Sequence, residues 1–233
     1  MSISYESIVP WGRSYSEYGQ MFALEPHDLN KKILGCGDGP AAFNSECLAH
    51  NGHCISVDPV YRYSTHALRQ RIDETFDAVM AQTRANRDKF LWTHIPSVEA
   101  LGAQRMAAMM RFLDDFAKGK REGRYIPGAL PALPFVNDAF DLALSSHFLF
   151  LYSDMLSKEF HIDAIFEMVR VAAEVRIFPV VNLNAQTSPY LEPVINHFKN
   201  GGYAIELQKV NYEFQKGGHT MLSIRRALAT DSP

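Results

Sequence analysis

The stretch from Lys32 to Asp58 constrains this chain more than any other. Lys32-Ile33-Leu34-Gly35-Cys36 is short and apolar, as a buried strand requires, and runs directly into Gly37-Asp38-Gly39-Pro40. Residues 41–51 place Ala42, Cys47 and Leu48 on one side of a helix that Gly52 ends. Cys54-Ile55-Ser56-Val57 is a second strand, stopped by Asp58-Pro59. Strand, glycine turn, helix and strand within about 30 residues make a βαβ unit, with parallel strands and a right-handed crossover.

The glycine run has a chemical reading. Gly35-x-Gly37-x-Gly39 lets the backbone turn sharply and brings a ligand close to it, while the helix that follows offers unpaired N–H groups. Asp58 stands 21 positions after Gly37, at the end of the next strand. A carboxylate there can accept hydrogen bonds from both ribose hydroxyls of an adenosine cofactor.

The remaining segments extend the alternation. Residues 64–87 and 98–116 read as helices, with the aromatic link Phe90-Leu91-Trp92 between them. The 64–118 segment, about 55 residues, exceeds the dozen or so that a crossover needs, so part of it is expected to be an insertion or cap. Tyr125-Ile126 begins a third strand and Phe140–Ser145 forms a fourth. A helix over 160–173, a fifth strand over 175–181 and a short helix over 189–200 follow. Two strands, over 203–210 and 220–226, end the chain as an antiparallel hairpin.

Composition narrows the function. With 23 Lys+Arg against 26 Asp+Glu, the net charge of −3 argues against charge-driven nucleic-acid binding. No apolar run reaches the ~20 residues of a membrane helix. The N-terminus has no basic-then-apolar signal pattern, which implies a cytoplasmic protein. Cys36, Cys47 and Cys54 are separated by 11 and 7 positions, not by zinc-knuckle gaps. They are expected to be reduced, buried thiols, with no metal site.

The chain resembles the class I S-adenosylmethionine-dependent methyltransferases. The resemblance rests on Ile33-Leu34-Gly35-Cys36-Gly37-Asp38-Gly39, on Val57-Asp58-Pro59, and on Leu133-Pro134-Phe135 running into Phe140-Asp141-Leu142, and it spans residues 30–227. It implies an α/β fold: a Rossmann-like, seven-stranded, mostly parallel sheet with a C-terminal antiparallel hairpin and a helical insertion after the second strand. The whole chain, 1–233, would be one domain, with 1–29 as a helical lid segment. The Leu-Pro-Phe segment sets the chain apart from NAD-dependent oxidoreductases. The implied function is transfer of a methyl group from S-adenosylmethionine to a small molecule by a monomer or homodimer. The alternatives are a non-catalytic or regulatory binder of the same cofactor and, ranked after it, a NAD-dependent oxidoreductase.

Gly35, Cys36, Gly37, Gly39 and Pro40 are the expected cofactor loop, and Asp58 and Pro59 the ribose end. Leu130 and Pro131 fall in the adenine stretch, which lacks the acid often found there. The acid usual two positions before the first loop glycine is replaced by Ile33. Arg13, Tyr18 and the run Ser145-Ser146-His147 are the candidates for the cofactor's amino-acid end, with Arg13 suited to a carboxylate. His147, just after the fourth strand, is the candidate general base. His161 and the Met106–Phe116 stripe read as packing residues, and Arg176 as a buried cation paired with Glu174, Glu167 or Asp141.

Overall fold

The computed structural model describes Ile3 and residues 9–227. In chain order the elements are α1 (Tyr15–Met21), β1 (Lys32–Cys36), α2 (Phe43–Ala49), β2 (His53–Val57), α3 (Thr65–Ala85) and α4 (Val98–Arg121). β3 (Tyr125–Ile126), β4 (Phe140–Ser146), α5 (Lys158–Val171), β5 (Ala172–Phe178), α6 (Leu191–Asn200), β6 (Tyr203–Lys209) and β7 (Thr220–Arg226) follow. The strands form one seven-stranded sheet in the order β3-β2-β1-β4-β5-β7-β6. β7 alone runs opposite to the other six strands.

The chain builds outward from β1 to β3 and then returns to lay β4 on the other side of β1. That reversal is a topological switch point, and it opens a crevice at the carboxyl ends of β1 and β4. Strand alternation sends Leu34, Cys36, Ala143 and Val175 to one face, under Ile165, Met168, Val194 and Phe198 of α5 and α6. Ile33, Leu142, Leu144 and Phe178 join the opposite core, with Tyr18 and Met21 of α1 and Phe43 of α2. Both faces are covered, so the central strands carry near-continuous apolar runs.

The insertion has its own core. α3 packs on α4, and α4 lies against α2 and β3. Ile72, Met109, Phe112, Phe116 and Tyr125 are buried there, so the methionine-aromatic stripe is core packing. Two boundaries differ from expectation. α4 continues past the expected 116 to Arg121, because Lys118, Lys120 and Arg121 complement the negative end of its dipole. β5 begins at Ala172 directly from α5, since Ala172 pairs with Phe140. It stops at Phe178 because Pro179 has no N–H for the ladder. Among the described residues no helix is long and apolar enough to cross a membrane.

Candidate active site

A cavity of about 490 Å³ fills the crevice. Its floor is the loop between β1 and α2. Gly37 and Gly39 take φ of +70° and +53°, which side-chain-bearing residues rarely adopt. Gly37 N–H donates to Val57 C=O at 2.9 Å, tying the loop to the end of β2. The Asp58 carboxylate accepts from Gly39 N–H through Oδ2 and from Val60 N–H through Oδ1, both at 2.9 Å. Each oxygen keeps further acceptor capacity. Burial raises the Asp58 pKa against the pull of those two bonds.

Asp38 folds back beneath the loop. Its carboxyl group occupies the space that a Gly35 side chain would take. Ser56 Oγ donates to Oδ2 at 2.6 Å and Tyr18 OH to Oδ1 at 2.8 Å. Burial pushes its pKa up to about 6, and Asp58 adds to the rise, while the two hydroxyl donors resist it. Neither Asp38 nor Asp58 forms an ion pair with a described residue.

The segment before α1 forms one wall. Gly12 lies against Pro40 C=O with no room for a Cβ, and Arg13 C=O accepts from Ala42 N–H at 2.9 Å. The Arg13 side chain lines the cavity. Its Nη1 donates to Trp11 C=O at 3.0 Å, and its buried Nε has no partner among the described residues. Burial and the neighbouring Arg105 lower its pKa.

Glu17 links that wall to the insertion. It closes a capping box with Ser14 at the start of α1. The same carboxylate accepts Arg105 Nη1 through both oxygens, at 2.6 and 2.7 Å. Tyr212 OH donates to Glu17 Oε1 at 3.0 Å and accepts from Arg105 Nη2 at 3.3 Å. Burial works against the Glu17 charge, but Arg105 and Arg13 overcome it and bring the pKa down to about 2. One buried network therefore joins α1, α4 and the loop before β7.

His147 follows β4 at φ +52°, with its N–H donated to Phe178 C=O at 2.6 Å. Its Nδ1 lies 3.0 Å from Ser146 Oγ. Burial, then Arg13 and Arg105, hold its pKa well below 6.5, so the ring is neutral at physiological pH. In the tautomer whose Nδ1–H is donated to Ser146, the other ring nitrogen is an acceptor.

The cavity brings together Arg13, Tyr18, Gly37, Gly39, Pro40, Asp58, Pro59, Leu130, Ser146 and His147. Tyr18 reaches it through Asp38, its ring stacked on Phe43 at 4.3 Å. Four expected residues lie outside its lining. Cys36 and Ser145 point into the core, because alternation turns them away from the crevice. Gly35 contributes only the space that Asp38 uses. Pro131 is turned outward, into a surface groove with Asn137 and Asp163. The expected 1–29 lid is described only in part; within it, residues 15–21 are helical.

Other readings resolve similarly. Arg176 pairs with Glu174 at 2.7 Å and with Asp28 at 3.1 Å, a partner the sequence pattern did not offer. Glu167 instead holds Arg170, and Asp141 accepts from Lys32 N–H. His161 is fully buried, with Nδ1 2.7 Å from Ser157 C=O, as a packing residue. The three cysteines are buried and free. Sequence reasoning assigned no role to Asp38 or Arg105. A signal existed for Arg105: it is a cation on the apolar stripe of α4, between Leu101 and Met109.

No protein-family model matches the chain. It is similar to the uncharacterized protein MJ0045 of Methanocaldococcus jannaschii, with 29% identity over 225 residues, 96% of this chain and 99% of that protein. Similar solved structures include an S-adenosylmethionine-dependent methyltransferase of Methanococcus maripaludis, described as putative. It is 12% identical and covers 94% of this chain and 85% of its own, with a TM-score of 0.43. A TehB-like methyltransferase of Corynebacterium glutamicum is 15% identical, over 92% and 88% of the two chains, with a TM-score of 0.47. Independently of these distant similarities, the sheet order described above is the Rossmann-like arrangement expected from the sequence.

Proposed function

We propose that this protein is an S-adenosylmethionine-dependent methyltransferase acting on a small molecule. The observation that carries the reading is the polarity of the cavity. The buried Asp58 carboxylate lines it at the glycine loop, with Asp38 held beneath the loop, neither with an ion-pair partner among the described residues, and Arg13 lines it without one among them. A ligand with cationic and anionic groups satisfies both walls, and the sulfonium and the carboxylate of S-adenosylmethionine are such a pair.

The residues fit the cofactor. Asp58 retains acceptor capacity for ribose hydroxyls, Leu130 and Val60 offer apolar contact to adenine, and Arg13 suits the carboxylate. When bound, the cofactor supplies an activated methyl group with an excellent leaving group. The protein's work is then alignment and exclusion of water by the Arg13 wall and the α3–α4 roof. His147, neutral and half-buried, is placed to take a proton from an acceptor that must lose one.

Calorimetry with S-adenosylmethionine, S-adenosylhomocysteine and NAD tests the reading. Binding of the first two, together with methyl transfer to some member of an acceptor panel, supports it. Binding of NAD alone overturns it. Cofactor binding without transfer to any acceptor points to the non-catalytic binder.

A further inference from the structure

The cavity changes character around His147. On the side roofed by α3 and α4 and bounded by the loop before β7, it is lined by Val79, Phe90, Leu101, Leu151, Leu183 and Phe214. Phe90 stacks on Phe214 with ring centroids 5.0 Å apart, and Trp92 meets Phe214 edge-on at 5.3 Å. Main-chain bonds fasten this seam: Leu91 N–H to Phe214 C=O at 2.7 Å, and Lys216 N–H to Lys89 C=O at 2.9 Å. The insertion and the C-terminal hairpin loop therefore meet along one side of the cavity.

The charges bordering that compartment have partners of their own: Arg71 of α3, which also lines the cavity, lies 3.9 Å from Glu74. Arg105 and Glu17 neutralise each other at 2.6 Å. His147 is neutral, and Arg13 faces the cofactor's carboxylate in the reading above. Thr83 spends its hydroxyl on Val79 C=O at 2.8 Å, and Lys89 turns to Asn184 at 2.7 Å. An ion entering this space would lose its water and find the nearby charges already engaged. An apolar body gains from burial, and one polar group can be met by the His147 ring.

We infer that this compartment takes an uncharged, largely apolar acceptor bearing a hydroxyl-type group that the His147 imidazole receives. The inference rests on the proposed cofactor assignment, which places Arg13 on the cofactor. The probes are naphthol, naphthoate and naphthylmethylammonium, titrated calorimetrically into the full chain saturated with S-adenosylhomocysteine near neutral pH. Naphthol is expected to bind at least about tenfold more tightly than either ion. Leu183→Glu is expected to remove naphthol binding and leave S-adenosylhomocysteine affinity unchanged, which also reports that the variant is folded. Tighter binding of naphthoate overturns the inference and assigns the Arg13 charge to the acceptor. Absence of naphthol binding to the loaded protein also overturns it. Failure of S-adenosylhomocysteine to bind is instead the failure of the cofactor reading. The compartment is then scored by naphthol titrated into the protein alone, where binding supports it and no binding overturns it.

Discussion

Replacing Glu17 by Gln keeps the size of the side chain and removes the charge that Arg105 and Arg13 face. Glu17 is 5% exposed and Arg105 1% exposed, so neither charge has water to fall back on. A carboxyl brought from 4.5 down to about 2 favours its charged form in the folded state by ~3 kcal/mol, at ~1.36 kcal/mol per tenfold. Removing one partner of a buried pair costs ~3–5 kcal/mol by a separate route of estimate, because the other charge is stranded. The two agree, so Glu17→Gln is expected to lose ~3 kcal/mol at pH 7. With a urea slope of ~3 kcal/mol per M, the unfolding midpoint falls by ~1 M. Arg105→Leu and the double variant complete a thermodynamic cycle. The double variant is expected to lose far less than the sum of the singles, since it strands no charge. The sign with pH follows from the lowered pKa: the Glu17 contribution is fully present above 4.5 and is lost as pH falls toward 2. A loss below ~1 kcal/mol, or additive losses in the cycle, would refute the account of this network.

Other outcomes are expected. Gly35→Ala puts a methyl group where the Asp38 carboxyl sits, so the bonds from Ser56 and Tyr18 must break; stability falls by ~3 kcal/mol or more in the same urea assay. Asp38 has the opposite linkage to Glu17. Its pKa of about 6, against 3.8, makes its contribution full below 3.8 and lost as pH rises through 6, so wild type gains ~2 kcal/mol on Asp38→Asn between pH 8 and pH 4. Asp58→Ala weakens S-adenosylhomocysteine binding by at least about tenfold, or ~1.4 kcal/mol, in calorimetry; unchanged affinity in a folded variant removes the ribose assignment. Arg13→Gln lowers the same affinity by ~10-fold or more through loss of one charge-assisted contact, and unchanged affinity frees Arg13 for the acceptor.

Much of the fold was legible because it depends on local period and punctuation. The run from Lys32 to Val57 has strand, turn and helix signals within a short span, and the parallel β1–β2 pair follows from them. Asp58 could be placed because a strand end fixes where its next residue goes. The α5–β5 junction was less legible, since Ala172 and Ala173 suit either period and only pairing with β4 decides between them. The site was legible where it lies on the loop and dark where it depends on closure. Arg105 and Glu17 are 88 positions apart, and Tyr212 and Glu17 are 195 apart.

By itself, then, the sequence determined an α/β chain with a glycine loop after its first strand, an acid after its second and surplus helical length before its third. Tertiary structure alone decided which charges are compensated. Asp38 became a buried carboxylate on the cavity floor because Gly35 has no side chain to exclude it. Arg105 became half of an internal ion pair because the packing of α4 on α2 brings it to Glu17 of α1, while Arg13, on the same wall, was left facing the cavity. The physical reason is that burial sets the strength of a charge, and burial is a property of the closed molecule, not of any window of residues.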